Sequence, residues 1–103
     1  MPNGDEKNWS RFCFALAGFR QAHGAWPTRI SLPEDYIREI REHLLTPESF
    51  QRVQEKILIV ARDGDIVAED SSGRSYTYGT DWPDPCEAEK WLGVTADRLC
   101  GKS

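Results

Sequence analysis

Apolar side chains recur along the chain with two different spacings, which divide it into helical and extended segments. From about residue 5 to 23 they fall three and four positions apart, which predicts an amphipathic helix. Residues 28–32 alternate between polar and apolar, which predicts a short strand. Two further helices are predicted over 33–45 and 47–56, each opening on a proline, which the first turn of a helix tolerates. The buried stripe of the first helix is predicted to be Trp9, Phe12, Cys13, Leu16 and Phe19.

The middle of the chain, residues 57–79, predicts three antiparallel strands that follow one another as a meander. Asp63-Gly64 favours a two-residue hairpin, because a type I′ turn needs a positive φ at both central positions. A second, three-residue loop at 71–73 places Gly73 in the left-handed position, with Asp70 accepting from the turn backbone. The first hairpin pairs Val60 with Val67.

The alternation of side chains along the meander assigns them to two faces of a sheet. One face is expected to lie under the helices and holds Ile57, Ile59, Ala61, Ile66, Ala68, Tyr76 and Tyr78. The other is expected to be at least partly solvated and holds Leu58, Val60, Arg62, Asp65, Val67, Glu69, Ser75 and Thr77.

A last helix is predicted to begin at Asp84 and to stop at Gly93, burying Ala88, Trp91 and Leu92. The predicted fold class is therefore α+β, with the elements in the order α-β-α-α-β-β-β-α. Helices pack on one face of a small, mainly antiparallel sheet, made of the meander and the short strand near 28–32.

The 103 residues are expected to form one domain over 1–103, with frayed ends at about 1–5 and 100–103. With 39% hydrophobic residues, the chain has enough apolar surface for a core without metal, disulfide or cofactor. The net charge of −4 argues against general binding to nucleic acid or anionic membranes. No apolar run approaches the length of a membrane span, about 20 residues.

The cysteines predict a compartment. Cys13, Cys86 and Cys100 are an odd number without close spacing, which favours reduced thiols over a disulfide framework. The polar N-terminus lacks the apolar segment of a secretory signal. A cytoplasmic location is expected.

No motif in the sequence predicts a catalytic, cofactor-binding or metal-binding residue. His23 and His43 are the only histidines, and they lack further ligands at the spacing of known zinc sites. A small enzyme stays open as an alternative, because a cleft could bring His23 or His43 together with Cys86 or a carboxylate.

The element order also resembles that of winged-helix DNA-binding domains. The resemblance implies that helix 47–56 is the recognition helix and that Asp63-Gly64 is the tip of the wing. The helix carries equal numbers of acidic and basic residues, and the wing would present Asp63 and Asp65 to phosphate, which repels them. DNA binding is therefore the second alternative.

The leading hypothesis is a non-catalytic protein–protein interaction or regulatory module. Trp26 and Trp82 each precede a proline in a loop-like segment, and such tryptophans are typical anchors of interfaces. Arg29 completes this candidate surface. Gly18 and Ala22, on the small-residue flank of the first helix, indicate either close packing within the domain or the contact of a homodimer.

Overall fold

The fold is described by a computed structural model over residues 5–79 and 84–93, with side chains described for 8–79 and 84–93. Four α-helices, one π-helical turn and four strands form in this part of the chain, which confirms the α+β class. The helices are α1 (Asp5–His23), α2 (Glu34–Glu39), the π-turn (Ile40–Leu44), α3 (Pro47–Lys56) and α4 (Pro85–Leu92). The strands are β1 (Arg29–Leu32), β2 (Leu58–Ala61), β3 (Val67–Glu69) and β4 (Ser75–Thr77).

The sheet is mixed, with the strand order β2-β1-β3-β4. β1 runs parallel to β2 on one side and antiparallel to β3 on the other, while β3 and β4 pair antiparallel. The predicted hairpin across Asp63-Gly64 is therefore wrong, because β1 lies between its two strands. Val60 and Val67 both pair with Ser31, from opposite sides.

The position of β1 between β2 and β3 has a physical reason, which is the burial of its side chains. Three of its four residues are buried, so a central position covers its apolar side chains and gives its backbone partners on both edges. The helices between β1 and β2 form the long crossover that parallel neighbours need. Gly64 does adopt a positive φ of 107°, but its turn lies in a connection that passes from one side of β1 to the other.

The second predicted hairpin is confirmed. β3 and β4 pair with Ala68 opposite Tyr76, and Gly73 has a φ of 96°. Within the turn, Asp70 Oδ1 accepts hydrogen bonds from the backbone N–H groups of Ser72 and Arg74, both at 3.0 Å. The preference of aspartate for turn backbone donors thus fixes this loop locally.

The predicted faces of the sheet are confirmed with one exception. Ile57, Ile66, Ala68 and Tyr76 are buried, as expected of the face under the helices. Leu58 is 60% exposed on the opposite side, which we call the open face. The exception is Ala61, which is exposed at the end of β2.

The core is organised around α1, which contacts β3, β4, α4 and the π-turn. Its predicted apolar stripe is buried throughout, consisting of Trp9, Phe12, Cys13, Leu16 and Phe19. Gly18 is also buried, and a Cβ atom there would overlap the ring of Tyr76. The glycine therefore serves the close approach of α1 to β4 within the chain.

The predicted helix over 33–45 forms, but its second half is the π-turn, where Leu45 donates to the Ile40 carbonyl at 3.0 Å. The two following helices have side-chain caps, in which Thr46 accepts from the Ser49 N–H and Asp84 from the Cys86 N–H. Among the described helices, none has the length and apolar character needed to cross a bilayer.

Candidate interaction surface

Two tryptophans from distant parts of the chain stack on each other at the surface. Trp26 follows α1, and Trp91 lies in the last turn of α4. Their ring centroids are 4.6 Å apart and the ring planes differ by 8°. Both side chains are half-buried and pack against the edge of the core. The stacked pair thus joins the segment that follows α1 to the last described helix, at an accessible position.

Each indole also has a cation over its ring. The guanidinium carbon of Arg20 lies 4.9 Å from the Trp26 centroid, and Lys56 Nζ lies 5.5 Å from the Trp91 centroid. Cations in such positions are attracted by the negative charge of the ring face. The result is a cluster of two stacked indoles, each in contact with one positive charge.

The C-terminal end of α4 is held by cations from α3. Lys56 Nζ donates to the Trp91 carbonyl at 2.7 Å, and Arg52 Nη1 donates to the Gly93 carbonyl at 3.1 Å. The last carbonyls of a helix lack partners within the helix and carry partial negative charge, so both contacts are favourable. They fix the position of Trp91 against α3.

A shallow concavity of about 340 Å³ opens beside the stacked rings. It is lined by Arg20, Trp26, Glu87, Lys90 and Trp91. A second concavity of about 350 Å³ continues from it, and shares Arg20 and Glu87 with it. We call the residues of the first concavity, together with Arg52 and Lys56, the tryptophan surface.

The cations of the tryptophan surface have no carboxylate partners among the described residues. Ion pairs in this part of the chain join Arg29 to Glu69, Arg38 to Asp35, Arg41 to Glu42 and Arg74 to Asp70. Arg20, Arg52, Lys56 and Lys90 take part in none of them. The nearest carboxylates lie beyond ion-pair distance: Glu87 lines the first concavity with Arg20 and Lys90, and Glu48 and Glu55 line another with Arg52.

The residues that the sequence proposed for the contact surface are not all brought together. Trp26 lies in the tryptophan surface, but Arg29 is on the open face of the sheet, where its Nη2 is 2.6 Å from Glu69 Oε1. Ala22 is exposed on α1, whereas Gly18 is buried under Tyr76 and is not available to a second chain. Trp82 lies outside the described residues.

Sequence reasoning missed the other members of the tryptophan surface. The spacing of Trp91 from Ala88 and Leu92 fits an apolar stripe, so the sequence predicts Trp91 on the buried side of the last helix. In the structure Ala88 and Leu92 are buried, while Trp91 is only half-buried at the edge of that stripe. The signal in the sequence that could indicate partial exposure of Trp91 is its charged neighbour in the chain, Lys90.

The groups proposed for a small enzyme lie on three different elements. His23 is the last residue of α1, and its Nε2 is 3.0 Å from the Ser75 carbonyl oxygen. His43 is exposed on the π-turn. Cys86 begins α4 and is disulfide-bonded, so it offers no thiol for nucleophilic chemistry. Within the described ranges no three His, Cys, Asp or Glu side chains are grouped so that they could hold a metal ion.

The expectation that all cysteines are reduced is wrong for Cys86, which is in a disulfide. Cys13 is a free thiol, fully buried in α1. Burial raises the pKa of the Cys13 thiol well above its usual value, and the charge of Glu89 raises it further. The thiolate is the reactive form of cysteine, so Cys13 is an inert core residue.

The strand order also bears on the resemblance to winged-helix domains. The resemblance takes Asp63-Gly64 as the tip of a hairpin formed by the two strands on either side of it. Here β2 and β3 are separated by β1, so Asp63-Gly64 does not close a two-stranded hairpin.

Comparison of the chain with protein families, with curated proteins and with solved structures finds no match.

Proposed function

We propose that the protein is a non-catalytic protein–protein interaction or regulatory module, and that its contact surface is the tryptophan surface. The observation that supports this most directly is the stacked Trp26–Trp91 pair at an accessible position, with a cation over each ring. Tryptophan and arginine are the residue types most enriched among those that dominate binding energy at interfaces.

The geometry of the pair favours binding because it is already ordered. Association normally loses the rotamer freedom of each side chain that becomes fixed at the interface. Stacking between Trp26 and Trp91, together with the contact of Lys56 with both the ring and the carbonyl of Trp91, restricts these side chains before a partner arrives. The loss of entropy on binding is correspondingly smaller.

A variant of Trp26 tests the proposal. Tagged protein is used to capture partners from cells that produce it naturally, and a captured protein is then purified and titrated by calorimetry. Trp26→Ala should weaken binding on the order of thirty-fold, the ratio equivalent to about 2 kcal/mol that marks a dominant interface residue.

Tyr36→Ala is the matched control. Tyr36 is also a half-buried aromatic residue with a cation over its ring, since the Arg11 guanidinium carbon is 5.4 Å from its centroid, but it lies on another surface. It should bind as the unaltered protein does, and both variants must still unfold cooperatively in urea, as a folded domain does. Equal binding by Trp26→Ala and the unaltered protein would refute the proposal.

Self-association is one form of the same proposal, in which the partner is a second copy of the chain. Sedimentation equilibrium of the purified protein distinguishes this form directly. A dimer that dissociates on Trp26→Ala and persists on Tyr36→Ala would identify the tryptophan surface as the dimer contact.

We also propose a cytoplasmic location; the disulfide of Cys86 counts against it, so the redox state of Cys86 in cells is the decisive test. Cytosolic thiols are kept reduced by glutathione and thioredoxin, so a structural disulfide is rare there. Cells are lysed in an alkylating reagent, and the peptide that contains Cys86 is analysed by mass spectrometry. Alkylated Cys86 agrees with the cytoplasm, whereas Cys86 protected until reduction places the protein in an oxidising compartment.

A further inference from the structure

We infer that the partner of the tryptophan surface is an acidic protein segment, in which carboxylates alternate with neutral side chains. The inference rests on the proposed function and adds the chemistry of the partner to it. It follows from the distribution of charges, from the faces of the two indoles and from their N–H groups.

The charge distribution is the first observation. Six of the described Lys and Arg residues form no ion pair with a described carboxylate, and four of these six belong to the tryptophan surface. The four are Arg20, Arg52, Lys56 and Lys90; the other two are Arg11 and Arg62. The whole chain has a net charge of −4, so this grouping of cations is local. Complementary charge on a partner accelerates encounter and fixes its orientation.

The ring faces are the second observation. Each indole already has the other indole and a cation over its ring. A nucleic-acid strand binds tryptophan by stacking its bases on free ring faces, and this arrangement leaves little room for that. The ring edges, which carry the positive end of the aromatic quadrupole, attract carboxylates instead.

The indole N–H groups are the third observation. No described residue accepts a hydrogen bond from the N–H of Trp26 or Trp91. Since no buried side-chain nitrogen or oxygen among the described residues lacks a partner, both N–H groups reach solvent. They are available as donors to a carboxylate, and hydrogen bonds to charged acceptors are the stronger kind.

Glu87 limits which anions fit. It lies in the same concavity as Arg20 and Lys90, without an ion pair to either. A continuous polyanion with a charge at every unit would be repelled where it passes Glu87. A peptide whose carboxylates are spaced by neutral residues can instead reach the cations on either side.

The test is a titration followed by NMR. The signals of the Trp26 and Trp91 indole N–H groups are assigned with single Trp→Phe variants. The protein is then titrated with three probes: a peptide of glutamate interspersed with serine and leucine, the same peptide with lysine in place of glutamate, and an oligothymidylate. We expect the acidic peptide to shift both indole signals, with an affinity that falls as salt is added.

Two variants with the same change in charge separate this surface from general attraction. Lys90→Glu should weaken the acidic peptide about tenfold at a salt concentration of about 0.1 M, where charges more than about 10 Å apart are largely screened. Arg62→Glu alters an exposed and unpaired arginine outside the tryptophan surface, and should leave the affinity within about twofold, because its effect is screened by distance.

Four outcomes would overturn the inference. They are larger shifts with the lysine peptide than with the acidic peptide, larger shifts with the oligothymidylate than with the acidic peptide, no shift with any probe, and an equal loss of affinity for the acidic peptide in Lys90→Glu and Arg62→Glu. The inference also fails separately from the proposed function. A captured partner that is lost with Trp26→Ala, but is unaffected by salt and by Lys90→Glu, leaves the interaction surface in place and removes only the acidic partner.

Discussion

Gly18 determines how closely α1 approaches the sheet. In an exposed helix, replacing glycine with alanine stabilises the fold by roughly 0.5–1 kcal/mol, because glycine loses more backbone freedom on folding. At Gly18 the added methyl group would overlap the ring of Tyr76, which packs against it. Packing and helix propensity therefore act in opposite directions at this residue.

We expect packing to dominate, so Gly18→Ala should lower the free energy of unfolding by about 1–3 kcal/mol, the usual cost of overfilling a core. Urea denaturation measures the change. When Tyr76 is already alanine, adding Gly18→Ala should lower the free energy of unfolding much less than it does in the unaltered protein, because the ring that causes the overlap is gone. A more stable Gly18→Ala protein would show that the helix and strand separate easily.

Asp70 makes one turn of the sheet sensitive to acid. Partial burial alone would raise the pKa of Asp70, but hydrogen bonds from Ser72 and Arg74 outweigh it and lower the pKa to about 2 from an ordinary value of 3.8. A carboxylate with a lowered pKa stabilises the fold above its unfolded pKa, and this contribution is lost as the pH falls through the folded value. The pH window is therefore from about 4 down to about 2.

We expect Asp70→Asn to remove the part of the pH dependence that arises between these values. Arg74→Gln should move the pKa of Asp70 upward, because the guanidinium hydrogen bond to Oδ2 at 2.9 Å is lost. NMR titration of the Asp70 carboxyl carbon measures both the position of the pKa and its change. An unchanged titration in Arg74→Gln would contradict the role given to this contact.

At the scale of elements, α1 and α4 are joined by a polar contact inside an apolar layer. Trp9 Nε1 donates to Glu89 Oε2 at 2.7 Å, and the exposed fractions of these residues are 0% and 2%. A buried carboxylate is costly unless it is hydrogen-bonded, so the pair specifies how the two helices align. Because Trp91 lies on the same helix as Glu89, this alignment also sets the tryptophan surface.

Trp9→Phe keeps an aromatic ring but removes the donor to Glu89. We expect a loss of at least about 2 kcal/mol in the free energy of unfolding, from the lost hydrogen bond and from the smaller ring. Glu89→Gln keeps a side-chain oxygen acceptor and should lose less. In a double-mutant cycle with Glu89→Leu, the coupling should be about 1 kcal/mol or more; additive effects would mean that the contact contributes little.

The sequence predicted which segments form helices, strands and turns better than it predicted which strands lie side by side. Helix caps, the turn at Asp70 and the alternation along β3 and β4 depend on residues close together in the chain, and these predictions are confirmed. The position of β1 depends on which distant edge buries its apolar residues, and no local pattern encodes that. The Asp63-Gly64 signal predicted a change of chain direction and the positive φ of Gly64 correctly, but the strands it joins incorrectly.

The same limit applies to the tryptophan surface. Trp26-Pro27 is a local signal for a loop and so predicts Trp26 as a surface residue, whereas Trp91 follows the spacing of a buried helical stripe. Its partial exposure results from packing against Trp26 and Lys56, which are distant in the chain. Only the folded arrangement shows that these residues form one surface.

At the scale of the whole molecule, the described part is a two-layer structure with helices on one side of the sheet. Ile57 and Leu58 are adjacent in the chain but have exposed fractions of 2% and 60%. Ile57 directly precedes β2 and already has an extended backbone, so it and Leu58 point to opposite sides and report on both faces of the sheet.

We expect Ile57→Ala to lower the free energy of unfolding by about 2–5 kcal/mol, as buried large-to-small substitutions do. Leu58→Ala should change it by less than about 1 kcal/mol, because most of that side chain is already in water. Thermal and urea denaturation of the two variants provide the comparison. Similar losses at both positions would mean that another part of the chain or a second copy covers the open face.

The stacking of Trp26 on Trp91 has an optical consequence. Two indoles whose centroids are 4.6 Å apart are close enough to couple their electronic transitions, and we expect this coupling to split the circular dichroism of the pair into bands of opposite sign. One indole follows the first helix and the other ends the last described helix, so the split signal exists only while both are docked. The chain therefore contains its own spectroscopic probe, with which the seating of α4 can be followed in real time without a dye.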